Sequence, residues 1–393
     1  MFGWIRRVAL CLATAALFSS GGPAAAGTSS SSLTSAATRA KIVAAVERER
    51  KRFGGLTPVP GVLVGVWDGA GHSFILPAGY ADLKTRRPMS QADHFRIGSN
   101  TKTFVVAVIL QLVDEGKLSL DDPLSKFSLG VKVPNAQNIT IRELCDMRSG
   151  LFEAFDAPEL AKINVKPDSI WDPRKIIAWG VKQKPYFPPG AGYHYTNTNY
   201  LLLGLIIEAI TKDTVGNQIR ARVITPFGLT ETSYPATMSM PDPWAHGYGL
   251  DKHRNWEDVS NTVPVTLMGS AGEMVSDMND MKRWIQLYVD GKTSKPATHA
   301  ALMRCVPTGE GNLAFGLALG CSAGWYGYTG GLPGYNTANY YFPKTGITIV
   351  AWVPLQASSP QPGVANTIFR DIASIMTPKN IPFQMGGTGK SGL

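Results

Sequence analysis

Cysteine is scarce in this chain of 393 residues: there are four, and Cys11 falls near the start. The six histidines are scattered. No His/Cys group has the close spacing that a tetrahedral metal site needs, so no bound metal is expected. Charge is sparse as well. Only 17% of residues are charged, and the formal excess of nine positive charges is spread along the chain rather than gathered into runs. That pattern argues against a nucleic-acid partner and for mild attraction to an anionic envelope. Internal repeats are missing, which excludes solenoids and propellers. One absence is local: no Lys or Arg lies between Arg304 and Lys344.

Long apolar runs are lacking too. Val8 to Phe18 is apolar but too short to cross a bilayer. Preceded by Arg6 and Arg7 and followed by Ala24-Ala25-Ala26, it reads as a cleavable signal peptide over residues 1–26. The expected location is secreted, periplasmic or cell envelope, with no membrane span after cleavage. Export makes disulfides feasible. Cys305 and Cys321 are the nearest pair in sequence, though sequence alone does not decide the pairing. Cys145 sits in a helical pattern and reads as a buried free thiol.

Residues 27–37 are rich in Ser and Thr and read as a disordered linker; 381–393 reads as a flexible tail. Between them, 38–380 is long enough for one large core. Thr38 to Phe53 is a charged amphipathic helix. Val62 to Trp67 and His72 to Leu76 form a hairpin about Asp68-Gly69. The middle third is mostly helical: Thr140-x-x-Glu143 is a capping box for a helix ending near Gly150, Thr198 to Ile210 is apolar, and Ser276 caps a helix over Asp277 to Val289. Strands return at Leu313 to Leu319, Trp325 to Thr329, Asn339 to Phe342 and Ile347 to Val353, and Val364 to Met376 closes the chain as a helix. The class is therefore α/β (α+β): a lobe of strands and terminal helices from about 38–98 and 265–380, and a mostly helical lobe from about 99–264. A cleft between such lobes is the natural place for a site.

Ser99 and Lys102 stand three apart at the head of the apolar run Val105 to Val113. On a helix they share a face, so the amine can take the hydroxyl's proton. The bland alternative is that Ser99 merely caps the helix. Against it, a lysine on an apolar helix is costly without a partner or a task. Two more segments join the pattern: Tyr195-Thr196-Asn197 on a loop opening a buried helix, and Tyr328-Thr329-Gly330-Gly331 where a strand ends in glycines.

This order of motifs resembles the serine penicillin-recognising enzymes, in particular the class C β-lactamase and D-alanyl-D-alanine carboxypeptidase branch. Leu112 to Leu118, Met147-Arg148-Ser149-Gly150-Leu151, Pro189 to Tyr200 and Ser270 to Ser276 carry the same likeness, which runs from about Gly61 to Val353. The resemblance implies a β-lactamase/transpeptidase-like fold, an antiparallel sheet flanked by N- and C-terminal helices with an inserted helical lobe. It implies Ser99 as the acylated nucleophile, Lys102 as the group sharing its proton, and Tyr195 as general base and acid with a phenolate favoured by nearby ammonium. Asn197, Tyr328, Thr329 and Gly330 would hold substrate. The N–H groups of Ser99 and Gly331 would form the oxyanion hole. No cofactor is implied.

The pattern departs from the family at Tyr328, where Lys or His is usual; a phenol is uncharged near neutral pH. Losing a charge-assisted contact of roughly 1.5–3 kcal/mol weakens the case for a carboxylate-bearing substrate. The expected activity is that of an exported serine acyl hydrolase, by default on D-alanyl-D-alanine-type envelope peptides such as a peptidoglycan stem peptide. Small neutral esters or amides, slow β-lactam turnover and a non-catalytic penicillin-binding role stay open. We expect a monomer. Gly320-Cys321-Ser322-Ala323-Gly324 also fits a nucleophile elbow, but no helix pattern or later histidine follows it, so Ser322 reads as a turn residue.

Overall fold

Ile347–Val353, apolar at every position but Thr348 and buried throughout, marks a strand covered on both faces. The computed structural model describes residues 32–54, 57–163, 165–355 and 363–384. In it this strand lies mid-sheet. The strands are β1 (Gly61–Trp67), β2 (Ser73–Asp82), β3 (Arg87–Pro88), β4 (Val306–Pro307), β5 (Ala314–Gly316), β6 (Leu319–Ser322), β7 (Trp325–Leu332), β8 (Tyr335–Phe342) and β9 (Ile347–Val353). They form one antiparallel sheet in the order β3-β2-β1-β9-β8-β7-β6-β5-β4. N-terminal and C-terminal strands thus meet at β1–β9, with Leu63 opposite Trp352.

The two-residue period of a strand sorts the core into two layers. Val62, Val64, Val66, Ile349, Ala351 and Val353 face one side, where helices α1 (Ala36–Gly54) and α5 (Val364–Met376) cover them. Leu63, Val350 and Trp352 face the other and join the larger core. That core holds α2 (Thr101–Asp114), α3 (Asn197–Thr211) and α4 (Met278–Val289). The apolar run beginning at Val105 is sealed all round, as a helix lacking a polar face must be.

Several expectations change. The helix opened by the Thr140/Glu143 capping box ends at Cys145, not near Gly150. Asp277, not Ser276, caps α4, its side chain accepting from the Asp280 N–H. The single strand expected at Leu313 to Leu319 is two strands, β5 and β6, because Ala318 takes φ +50° and turns the chain. The linker assignment fails at its end: Leu33 is fully buried against the α1–α5 layer, and helix starts at Ala36. The tail assignment fails at 381–384, where Phe383 packs on Tyr340 and Phe369. The signal peptide over 1–26 and residues 385–393 lie outside the described residues. Among the described residues no helix is long and apolar enough to cross a membrane.

Cys305 and Cys321 form a disulfide, and Cys145 is a buried free thiol. Ser322 ends β6 in a tight hairpin with β7, its hydroxyl donating to Asn312 Oδ1 at 2.8 Å and accepting from the Phe383 N–H. A strand–turn–strand with a tied hydroxyl is no nucleophile elbow. The α5 layer rests on Phe369, which is fully buried and stacked on Tyr340 at 4.2 Å. Phe369→Ala is expected to cost about 3–5 kcal/mol, read by denaturant unfolding; a loss below 1 kcal/mol, on the same scale, would show that the layer repacks without it.

Candidate active site

Between Asp93 and Leu110, Ser99 is the one residue that is not buried. Its placement starts at Gly98, whose φ of +53° is left-handed and favours glycine. A Cβ there would also sit 2.9 Å from the Gly331 nitrogen. Opposite, a Cβ on Gly330 would lie 2.0 Å from the Ile97 carbonyl oxygen and 2.5 Å from Thr337 Oγ1. Two glycines thus let the turn Gly98–Asn100 press against the end of β7. Asn100 fastens it: its amide donates to Thr337 Oγ1 and accepts from Asn339 Nδ2, both at 2.9 Å. Asn339 in turn accepts from Trp352 Nε1 at 2.9 Å. Ser99 does not cap α2: the helix has no side-chain cap.

The serine hydroxyl has two partners instead. Tyr195 OH donates to Ser99 Oγ at 2.7 Å, and Lys102 Nζ lies 2.9 Å from the same oxygen. Lys102 is fully buried. Its nitrogen also faces Asn197 Oδ1 at 2.8 Å and the Ala271 carbonyl at 2.7 Å. Asn197 Nδ2 donates to Glu153 Oε2, which fixes which end of that amide Lys102 meets. Two of the three Lys102 neighbours can therefore only accept. If the amine is neutral, its lone pair can be directed to the one neighbour that carries a proton, Ser99.

Burial pushes the Lys102 amine down to about 7, with the Glu153 charge opposing the shift. Burial likewise pushes the Glu153 carboxyl up, although the N–H groups of Phe155 and Asn197 bond to it. The Tyr195 phenol is also raised, burial outweighing its bond to Ser99. This runs against the expectation of a favoured phenolate: burial favours the protonated phenol.

The structure joins Ser99, Lys102, Tyr195 and Asn197 directly, and sets Gly330 and Gly331 against the serine turn. Tyr328 and Thr329 line, with Tyr195, an adjoining cavity. Tyr328 is buried; its hydroxyl lies near Tyr195 but has no hydrogen-bond partner among the described residues. Beyond Tyr328, β7 has a ladder partner only in β8, leaving residues 329–332 as a sheet edge beside Ser99.

The β-lactamase family profile matches residues 50–371. The chain belongs to the β-lactamase family. Protein flp of Staphylococcus aureus is 30% identical over 216 residues, 54% of this chain and 42% of that protein. A D-stereospecific amidohydrolase from a Streptomyces species is 27% identical, with a TM-score of 0.74 over 86% of this chain and 99% of that one. A penicillin-binding protein from Bacillus halodurans shares the fold at 23% identity, TM-score 0.72, over 85% and 98% of the two chains. The chain spans less than two thirds of the curated relatives it matches, 42% and 64% in two cases.

Sequence reasoning missed three parts of this β-lactamase-family site: Glu153, Asn100 and the Ala271 carbonyl. Glu153 had a signal, a lone acid within Leu151-Phe152-Glu153-Ala154-Phe155. Ala271 lay within the family-like stretch Ser270 to Ser276, though nothing there marked its carbonyl, and Asn100 had no signal, since it acts through contacts distant in sequence. Asn197 begins α3, but Thr196 caps it. Gly330→Ala is expected to push the serine turn off β7 and cost about 1–3 kcal/mol by overpacking. Hydrogen exchange at residues 97–100 should quicken; an unchanged exchange rate and melting temperature would mean that the close approach is not needed.

Proposed function

We propose that this chain is a serine acyl hydrolase of the β-lactamase family acting through a Ser99 acyl-enzyme on small amides or esters. The observation that carries the reading is the hydrogen-bonded set Tyr195 OH, Ser99 Oγ and Lys102 Nζ on a turn that leaves only the serine accessible. Neutral Lys102 takes the Ser99 proton as Oγ attacks the carbonyl carbon. The carbonyl oxygen becomes an oxyanion, held by the N–H groups of Ser99 and Gly331. The C–N or C–O bond breaks as the Tyr195 phenol protonates the leaving atom, and Lys102 ammonium returns a proton to Tyr195. Water then repeats the sequence on the ester, and Ser99 recovers its proton. Glu153 steadies the ammonium without giving it a direct partner that would trap the proton. Asn197 and the Thr329–Gly331 edge hold the substrate.

The likeness to a D-stereospecific amidohydrolase supports an amide substrate. A second reading, a D-alanyl-D-alanine-type carboxypeptidase, is favoured by one group: Arg370 of α5 lines the same cavity as Thr329 and supplies a cation from outside the Arg304 to Lys344 stretch. Export through the leader at 1–26, and a peptidoglycan partner, are part of that second reading.

A fluorescent fluorophosphonate is expected to label the wild type and not Ser99→Ala; equal labelling would remove Ser99 from the mechanism. Lys102→Ala should slow ester turnover at least about a hundredfold, the usual range for a lost proton-transfer group. Because the neutral amine is the competent form, acylation should rise with pH through about 7 and fall roughly tenfold per unit well below it. In Glu153→Gln the charge that holds the Lys102 pKa up is gone, so the midpoint should move to lower pH. A midpoint moving upward, read from stopped-flow acylation profiles, would contradict the assignment.

A further inference from the structure

The cavity beside Ser99 is lined mainly by apolar surface. Its floor includes Gly320 and Gly327, neighbours on β6 and β7, and Phe315, Tyr340 and Phe383 wall it. Among its lining residues, three carry a buried polar atom without a hydrogen-bond partner among the described residues: Tyr193 OH, Tyr328 OH and Asn366 Oδ1. Such atoms are costly unless something pairs with them. Glu310 lines the same space, and its carboxylate has neither a hydrogen bond nor an ion pair among the described residues. Tyr193 lies near enough to feel the Glu310 charge. Burial raises the Glu310 pKa, as it does for a carboxylate turned toward apolar surface. The cation of the cavity, Arg370, is partly exposed and already has Asp371 at 3.4 Å.

We propose that this cavity is a subsite for an ammonium-bearing aromatic or aliphatic arm of the substrate, its charge paired with Glu310 beside Tyr193. The inference rests on the acyl hydrolase reading and names the substrate class for that site. An ammonium has only donors to offer, and the Glu310 carboxylate can only accept. The aromatic walls attract a cation through their ring faces. A carboxylate in the same place would meet Glu310 and be repelled. Tyr328 fits this reading too: a neutral phenol admits a cation where Lys or His would oppose it.

The test uses phenethylamine, phenethyl alcohol and hydrocinnamate as probes, with binding to the wild type and to Ser99→Ala measured by calorimetry. Phenethylamine should bind about tenfold more tightly than the alcohol, the scale of one charge-assisted contact. Glu310→Gln should erase that advantage. Equal binding of amine and alcohol, or an advantage that survives Glu310→Gln, overturns the proposal. So does preferential binding of hydrocinnamate that is lost in Arg370→Gln. The two readings fail separately. Ser99-dependent ester turnover without amine selectivity sinks only the subsite. Amine selectivity without Ser99-dependent turnover keeps the subsite and sinks the hydrolase.

Discussion

A single amine, Lys102 Nζ, carries the site. It is sealed from water at the first turn of a mostly apolar helix, and its hydrogen-bond partners are all oxygen atoms: a hydroxyl, an amide carbonyl and a backbone carbonyl. An ammonium can satisfy all three at once, and burial makes that form expensive. The neutral form can be satisfied only by drawing the proton of Ser99 toward it. Glu153 keeps the two forms close in energy by favouring the charge from a distance, with Asn197 between them. The poise of the lysine is thus a balance of burial against one carboxylate, and both are properties of the fold.

The fold supplies the other half of the constraint by fixing where the serine stands. The turn Gly98–Asn100 is held by sheet on one side and helix on the other. Asn100 ties it to Thr337 and Asn339 on β8, while Gly330 removes the side chain that would keep β7 away. Trp352 on β9 reaches Asn339, so the chain of hydrogen bonds runs from mid-sheet to Asn100, next to Ser99. Rigidity is what this arrangement provides. A hydroxyl that must accept from a phenol and give to an amine at the same time tolerates little error in position.

What the sequence makes legible follows from range. Ser99 with Lys102, and Tyr195 with Asn197, are spacings within one turn, and the strands and helices around them follow from local periodicity. The Thr140/Glu143 capping box is likewise local, and both of its hydrogen bonds are present. The misses have the opposite character. The turn at Ala318 needed a positive φ that no sequence signal announced. Leu33 looked like part of a Ser/Thr linker until α1 and α5 gave it a core to enter. Asn100, Ala271 and Glu153 act across separations of tens to hundreds of residues, where pattern has no reach. Even the sign of the Tyr195 shift was a matter of packing: a nearby cation was visible in the motif, the depth of burial was not.

The exchange of a cation for Tyr328 acts on the chemistry as well as on the ligand. A positive charge at position 328, midway along β7, would stand beside the Tyr195 phenol, which is itself bonded to Ser99. It would favour the phenolate and further disfavour ammonium at Lys102, shifting the resting base from the amine to the tyrosine. With a neutral phenol there, burial outweighs the bond to Ser99 at Tyr195, and Glu153 is the charge that opposes burial at Lys102. In the proposed acyl-hydrolase mechanism, the proton-accepting role then falls to the lysine and the proton-donating role to the tyrosine. The same side chain would bear on which charge the neighbouring cavity admits.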